Sequence, residues 1–261
     1  MISSSHNPKI QQVRALLMKR QERENAQAFV VEGVRLVEEA FKSQWQAQIV
    51  LYTSRISPRG KTVVEKAASQ GVDVEEVLSS VMDSISDTET TQGLAAVFSI
   101  KSIPLPSRLD FLLVLDNLRD PGNLGTLLRS AEASGVQAVI LTPGTVDPFS
   151  PKVVRSAMGA HFRLPIHSMT SQEIKIICHA DQSSPLKILV AEGERGIPFW
   201  KIDLCQPMAL VIGGETQGIN DQVLAFADEV ITIPMPGSSE SLNAAVAGSI
   251  LLFEVVRQRT A

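Results

Sequence analysis

The chain has 261 residues, 44% of them hydrophobic and 20% charged, and a net charge of -4. That length suffices for two ordinary domains with real cores, and the acidic balance argues against a surface that binds nucleic acid by bulk charge alone, though not against a local basic patch. Cys178 and Cys205 lie too far apart to suggest a disulfide framework or a zinc site, and neither a signal peptide nor a membrane-length apolar run is present, so a cytoplasmic protein is expected, with no membrane partner and no metal.

A helix is predicted from about Pro8, where Ile10, Val13 and Leu17 recur at helical spacing and Gln12, Lys19 and Arg23 fall on the opposite side. Lys9, Arg14, Lys19, Arg20 and Arg23 face only Glu22 and Glu24 there, which makes a local basic patch; a solvated face is the plainer alternative. Strands are then predicted at 29–31, 48–52, 72–77 and 94–100, and helices at 33–42, 61–70 and near 79–86. This is an α/β unit of ordinary domain size. Residues 101–108, with Pro104 and Pro106 among small polar residues, read as a linker.

The second part opens on Phe111-Leu112-Leu113-Val114-Leu115, a continuous apolar run expected for a strand buried on both faces of a parallel sheet. Further strands are predicted at 138–141, 163–166, 187–191, 209–212 and 230–233, with helices between them. Such alternation implies an open, mostly parallel sheet covered on both sides, and ligands bind such sheets beyond the carboxyl ends of the strands. Three polar clusters, 116–125, 213–218 and 233–243, each follow a strand.

In the first cluster Pro121-Gly122 reads as a turn and Asn123 as a helix cap, with Arg129 six residues on; its Asp, Asn and Arg side chains suit phosphate or ribose. The second, Gly213-Gly214-Glu215-Thr216-Gln217-Gly218, is neither GxGxxG nor a Walker sequence. Its glycines would let the backbone approach a ligand, with Glu215 free to accept a hydrogen bond. The third runs from Ile233-Pro234-Met235 through Ser241-Leu242-Asn243 into an apolar helix. Ser241 and Asn243 stand where the free N–H groups of a first turn face the loop, so they serve either as a cap or beside a small polar ligand. In that last helix Leu242, Val246, Ile250, Leu251, Leu252, Phe253, Val255 and Val256 cover too much of the circumference for one buried face.

Residues 123–135, 213–218 and 233–243, in this order, resemble the three motifs of the SpoU (TrmH) family, S-adenosylmethionine-dependent RNA ribose 2'-O-methyltransferases of the SPOUT superfamily. The resemblance covers 109–259, residues 150–160 included. Asn7-Pro8-Lys9-Ile10 and residues 29–40 are similar, less specifically, to the family's ribosomal-protein-like substrate-binding module. It implies a small α/β RNA substrate-binding domain at 1–100, a linker at 101–108 and a methyltransferase domain at 109–261. The last is expected to be a mostly parallel sheet tied in a deep trefoil knot.

The resemblance also places the active site at Asn123, Arg129, Glu215, Ser241 and Asn243. The methyl donor would lie bent against Gly213, Gly214, Gly218, Ile233 and Leu242. Lys9, Arg14, Lys19 and Arg23, together with Lys152, Arg155 and Arg163, become candidates for RNA contacts. A homodimer with sites completed across its interface is implied as well. The appended first domain favours large-subunit ribosomal RNA; a transfer RNA enzyme or a catalytically silent RNA-binding member are the alternatives. The sequence departs from the pattern at Thr216, where glycine is commoner, and at Ser134, where an aromatic residue often stands.

Overall fold

The structure, a computed structural model, describes residues 1–86, 90–179, 185–193, 195–214, 218–238 and 241–261. Contacts divide the chain into two compact units, one of residues 1–101 with 147–162, the other of 102–146 with 163–261. In the first hundred residues come α1 (Pro8–Met18), α2 (Arg20–Ala26), β1 (Ala28–Glu32), α3 (Val34–Lys42), β2 (Ala47–Tyr52), α4 (Pro58–Ser69), β3 (Asp73–Glu76), α5 (Ser79–Asp83) and β4 (Leu94–Ser99). There follow β5 (Phe111–Asp116), α6 (Pro121–Ala133), β6 (Ala138–Leu141), α7 (Pro151–Ser156), β7 (Ile166–Ser168), α8 (Ser171–Cys178), β8 (Lys187–Ala191), β9 (Ile197–Pro198), β10 (Met208–Gly213), α9 (Asp221–Leu224), β11 (Glu229–Thr232) and α10 (Ala244–Thr260).

The first unit is built on a mixed sheet in the order β1-β4-β2-β3, antiparallel at β1/β4 and β4/β2 and parallel at β2/β3. Ile10, Val13 and Leu16 of α1 bury against Val30, Leu51 and Val97, joined by Met82 of α5. An aromatic cluster holds Phe29, Phe41, Trp45 and Phe98, and residues 147–162 supply Phe149 and Phe162 to it. The Trp45 and Phe162 rings meet edge to face at 5.4 Å, and Trp45 Nε1 donates to Phe162 O at 3.1 Å. Residues 147–162 thus join the first unit although they lie beyond the linker expected at 101–108, because this segment buries its aromatic rings among those of the first hundred residues.

The helix predicted from Pro8 breaks at Lys19, whose backbone is extended (φ -123°, ψ 123°). The turn carries Arg23 inward. It is 5% exposed, pairs with Asp147 at 2.6 Å and donates to Leu16 O at 2.5 Å. Arg23 is therefore a buried structural ion pair, which corrects its placement in the basic patch.

His161, in the same segment, is 2% exposed, with Nε2 2.6 Å from Pro148 O and Nδ1 buried without a partner among the described residues. Burial pushes its pKa from 6.5 down to about 4. The folded imidazole stays neutral where the unfolded one binds a proton, so its contribution to stability is intact above about pH 6.5 and is lost as the pH falls towards 4. Urea titrations should show a loss of roughly 3 kcal/mol across that window, and His161→Gln should flatten the slope. Parallel slopes for the two proteins would assign the acid sensitivity to other groups.

The second unit is a seven-stranded sheet, parallel at every pairing, in the order β7-β6-β5-β10-β8-β11-β9. The apolar run does form the central strand expected, with every residue of β5 buried. Because all pairings are parallel, the segments after β5, β8, β10 and β11 emerge at one edge. Two details differ from expectation: β7 runs Ile166–Ser168 rather than 163–166, since residues 163–165 continue the turn that follows the 3-10 helix at 160–162, and the two-residue edge strand β9 has no separate sequence signal.

Helix α10 packs on α6 through Gly248, where a Cβ would come within 2.4 Å of Leu127 Cδ2, and through a 2.8 Å Ser130–Ser249 hydrogen bond. Ala244, Ala245, Leu251, Leu252 and Val255 are buried, while Val246, Ile250 and Phe253 are 38–49% exposed. Among the described residues the chain covers one side of this helix. Among the described residues no helix is long and apolar enough to cross a membrane.

Candidate functional site

The carboxyl edge of the seven-stranded sheet holds a cleft of about 610 Å³. At the end of β5, Asp116 is 2% exposed and accepts hydrogen bonds from Thr142 Oγ1 and Asn220 N, both at 2.6 Å. It ties three loop bases together and is satisfied, so it is part of the frame rather than free for ligand. Pro121 stands at the first helical position of α6 and the Asp120 carboxylate accepts from Asn123 N at 2.7 Å. Asp120, not Asn123, is therefore the cap: proline's fixed φ starts the helix early, which places Asn123 within its first turn.

Gly213 and Gly214 line the cleft, but their lack of side chains is required by the protein itself. A Cβ on Gly213 would lie 2.6 Å from Gly218 C, and one on Gly214 would lie 2.2 Å from Asn117 O. Gly218 turns the chain at φ +63°. Glu215 and Thr216 lie outside the described residues. From β11 the chain brings Ile233, Met235, Ser241, Leu242 and Asn243 to the same cleft. Asn243 caps α10, accepting from Ala245 N at 2.9 Å and Val246 N at 3.2 Å. Its Nδ2 donates to Asn123 Oδ1 at 2.9 Å, joining the first cluster to the third across 120 residues of chain.

Of the expected positions, Gly213, Gly214, Gly218, Ile233, Ser241, Leu242 and Asn243 share this cleft, and Asn123 touches it through Asn243. Arg129 does not line it. Six residues past Asn123, about 600° around the helix, it is exposed on another face of α6 with no hydrogen-bond or ion-pair partner among the described residues. Glu192 and Arg195, an ion pair after β8, also line the cleft and escaped sequence reasoning. The rule that ligands sit beyond strand ends could have found them, since β8 was legible.

The basic candidates belong to the first unit, except Arg163. Lys9 is held by Asp73 and Glu75, each at 2.6 Å, and hydrogen bonding to Asp73 above all raises its pKa. Arg14 donates to Ser84 Oγ at 3.0 Å, Lys19 is exposed, and Lys152 and Arg155 lie on α7. Arg163, in the second unit, pairs with Glu132 at 2.6 Å.

The cleft is chemically mixed. Ile212, Leu224, Ala247 and Leu251 offer an apolar wall, while Ser241, Asn243 and the glycine backbone offer donors and acceptors. Its volume falls in the range that seats a nucleoside-sized ligand. Among the described residues no group of three or more His, Cys, Asp or Glu is placed to hold a metal ion.

Known proteins are similar to this chain throughout. Residues 110–253 match the SpoU rRNA Methylase family, and residues 7–96 match the MRM3-like substrate binding domain. The 23S rRNA (guanosine(2553)-2'-O)-methyltransferase RlmP of Bacillus subtilis is 32% identical over 254 residues, covering 97% of this chain and 98% of the relative. The 23S rRNA (uridine(2479)-2'-O)-methyltransferase of Streptomyces viridochromogenes is 34% identical over 265 residues, 98% of this chain and 92% of that one. Among solved structures, the SpoU methyltransferase AviRb from Streptomyces viridochromogenes in complex with AdoMet superposes with a TM-score of 0.88 at 30% identity, over 97% of this chain and 99% of its own. The AdoMet-bound rRNA methyltransferase from Sinorhizobium meliloti gives 0.87 at 30% identity, over 98% and 97%.

Proposed function

The chain belongs to the SpoU rRNA methylase family, and from that premise we propose that it transfers a methyl group from S-adenosylmethionine to a ribose 2'-hydroxyl of large-subunit ribosomal RNA. The observation that carries this reading is the convergence of three sequence-distant loops on one cleft, closed by the Asn243–Asn123 hydrogen bond. The glycine backbone and mixed walls fit the donor, which when bound supplies an electrophilic methyl on a positively charged sulfur.

The residues of the chain must then present the hydroxyl in line, help it lose its proton and hold both reactants still. Asn243 fixes the start of α10 and, through Asn123, its position against α6. Ser241 and Leu242 shape the wall between donor and acceptor. We assign to Arg129 the target ribose or its phosphate. A charged guanidinium has no lone pair to act as a base, so its role is to stabilise the developing alkoxide while the proton leaves to phosphate or water. On the same reading the segment from β10 through α10 is tied in the deep trefoil knot its motifs imply, and the enzyme works in the cytoplasm.

We also infer a homodimer. Val246, Ile250 and Phe253, spaced by four and three residues on α10, form one apolar stripe with each residue at least 38% exposed. A second copy covering it would allow a site completed across the interface, which accommodates Arg129 lying off the cleft of its own chain. Sedimentation should give twice the 28.3 kDa chain mass, and a Val246→Glu/Phe253→Glu variant should sediment as a folded monomer. A monomeric unmodified protein would end this inference.

The function is tested by mapping ribose methylation in RNA from cells with and without the gene. One lost site in 23S ribosomal RNA, restored by purified enzyme and donor, is the expected result. A site lost only from transfer RNA would overturn the substrate, and donor binding without transfer to any RNA would overturn the activity.

A further inference from the structure

The first unit holds a second cleft, of about 750 Å³, lined among the described residues by Arg35, Arg55 and Arg59 with only one carboxylate, Asp83. Arg59 is already held by Glu38. Arg35 and Arg55 are exposed and have neither a hydrogen bond nor an ion pair among the described residues, so two guanidiniums uncommitted there face one concavity. In a chain of net negative charge that is an unusual local excess.

The floor has unspent hydrogen-bonding capacity of its own. Thr53 is 3% exposed and lines the cleft, yet its hydroxyl has no partner among the described residues. That hydroxyl is open to the cleft rather than sealed within the protein, so a ligand seated there can bond to it. Gln92 Oε1 accepts from Val34 N at 2.9 Å at the start of α3, while its amide nitrogen, beside the cleft, has no partner among the described residues. The first turns of α3 and α4 open here too, through Val34, Arg35, Ser57 and Arg59, and their dipoles favour negative charge.

We propose that this cleft seats one nucleotide of the RNA substrate, with its phosphates between Arg35 and Arg55 and its sugar and base edges against Thr53 and Gln92. The proposal rests on the chain's being an RNA methyltransferase and names the surface by which the first unit grips RNA. Forked guanidiniums suit phosphate oxygens, and the volume suits a nucleotide.

The test uses the full chain, a fluorescein-labelled single-stranded RNA of mixed sequence, and adenosine monophosphate as the small competitor. Anisotropy titrations at several salt concentrations should show Arg35→Ala/Arg55→Ala binding RNA roughly tenfold more weakly, with a log–log salt slope shallower by about 1.4, two phosphate contacts' worth for a single strand. Calorimetric binding of S-adenosylmethionine should be unchanged, so failure here is distinguishable from failure of the methyltransferase assignment. The control Lys61→Ala/Lys66→Ala removes the same charge from exposed positions outside the cleft and should leave the slope unaltered. An equal loss in that control, or an RNA slope unaffected by the arginine pair, would overturn the proposal. So would tight adenosine monophosphate binding lost in the arginine variant while RNA binding stayed intact, since the cleft would then serve a free nucleotide.

Discussion

Arg129→Ala is expected to lower the turnover of methyl transfer by about 10² to 10³, the usual cost of removing one donor from a developing oxyanion, while S-adenosylmethionine binds within twofold of the unmodified protein. The separation follows from position: Arg129 is exposed on α6 and is absent from the donor cleft. Arg129→Lys keeps the charge but not the planar fork, so it should remain at least about tenfold below full turnover. Single-turnover transfer of tritiated methyl to 23S ribosomal RNA, with calorimetry of the donor, measures both quantities. A lysine variant with near-full turnover and an unchanged pH profile would show that charge alone suffices and that the forked geometry has no part.

What the sequence reveals of this fold tracks how local each cause is. Phe111 to Leu115 announces a central parallel strand because both faces of such a strand are apolar, and that is a property of consecutive residues. The start of α4 is equally local: Ser57 caps it and Pro58 opens it, three residues before the helix predicted from Lys61. By contrast, nothing within residues 147–162 says that Phe149 and Phe162 will pack on Phe29 and Trp45, more than a hundred residues earlier. Arg23 misleads for a related reason. The extended backbone at Lys19 has neither glycine nor proline to mark it, so a continuous helix puts the guanidinium outside when it is inside. The site follows the same division. Gly213, Ser241 and Asn243 stand out in their loops, whereas the Asn123–Asn243 bond and the contribution of Glu192 and Arg195 exist only once parallel strands have brought the loops to one edge.

The glycine pair at the end of β10 shows how a motif can be identified for one reason and required for another, and Gly214→Ala is expected to separate the two. A methyl at this position would sit 2.2 Å from Asn117 O, a contact that neither backbone can relieve easily. Asn117 N donates to Thr142 Oγ1 at 2.9 Å, and Gly214 N donates to Asp116 O at 2.9 Å, so both chains are pinned where they cross. Forcing them apart costs about 1–3 kcal/mol as overpacking and moves the wall of the donor cleft. Donor affinity should fall by about a hundredfold, equivalent to about 2.7 kcal/mol, in calorimetry on protein still folded by circular dichroism. Gly237→Ala is the matched control: it lies in the third loop, and a Cβ there would meet nothing within 4 Å. It should bind the donor within twofold. If Gly214→Ala bound the donor normally, the Asn117 carbonyl would have to move aside at little cost, and neither the crossing of the β5 and β10 loops nor ligand approach would require the glycine.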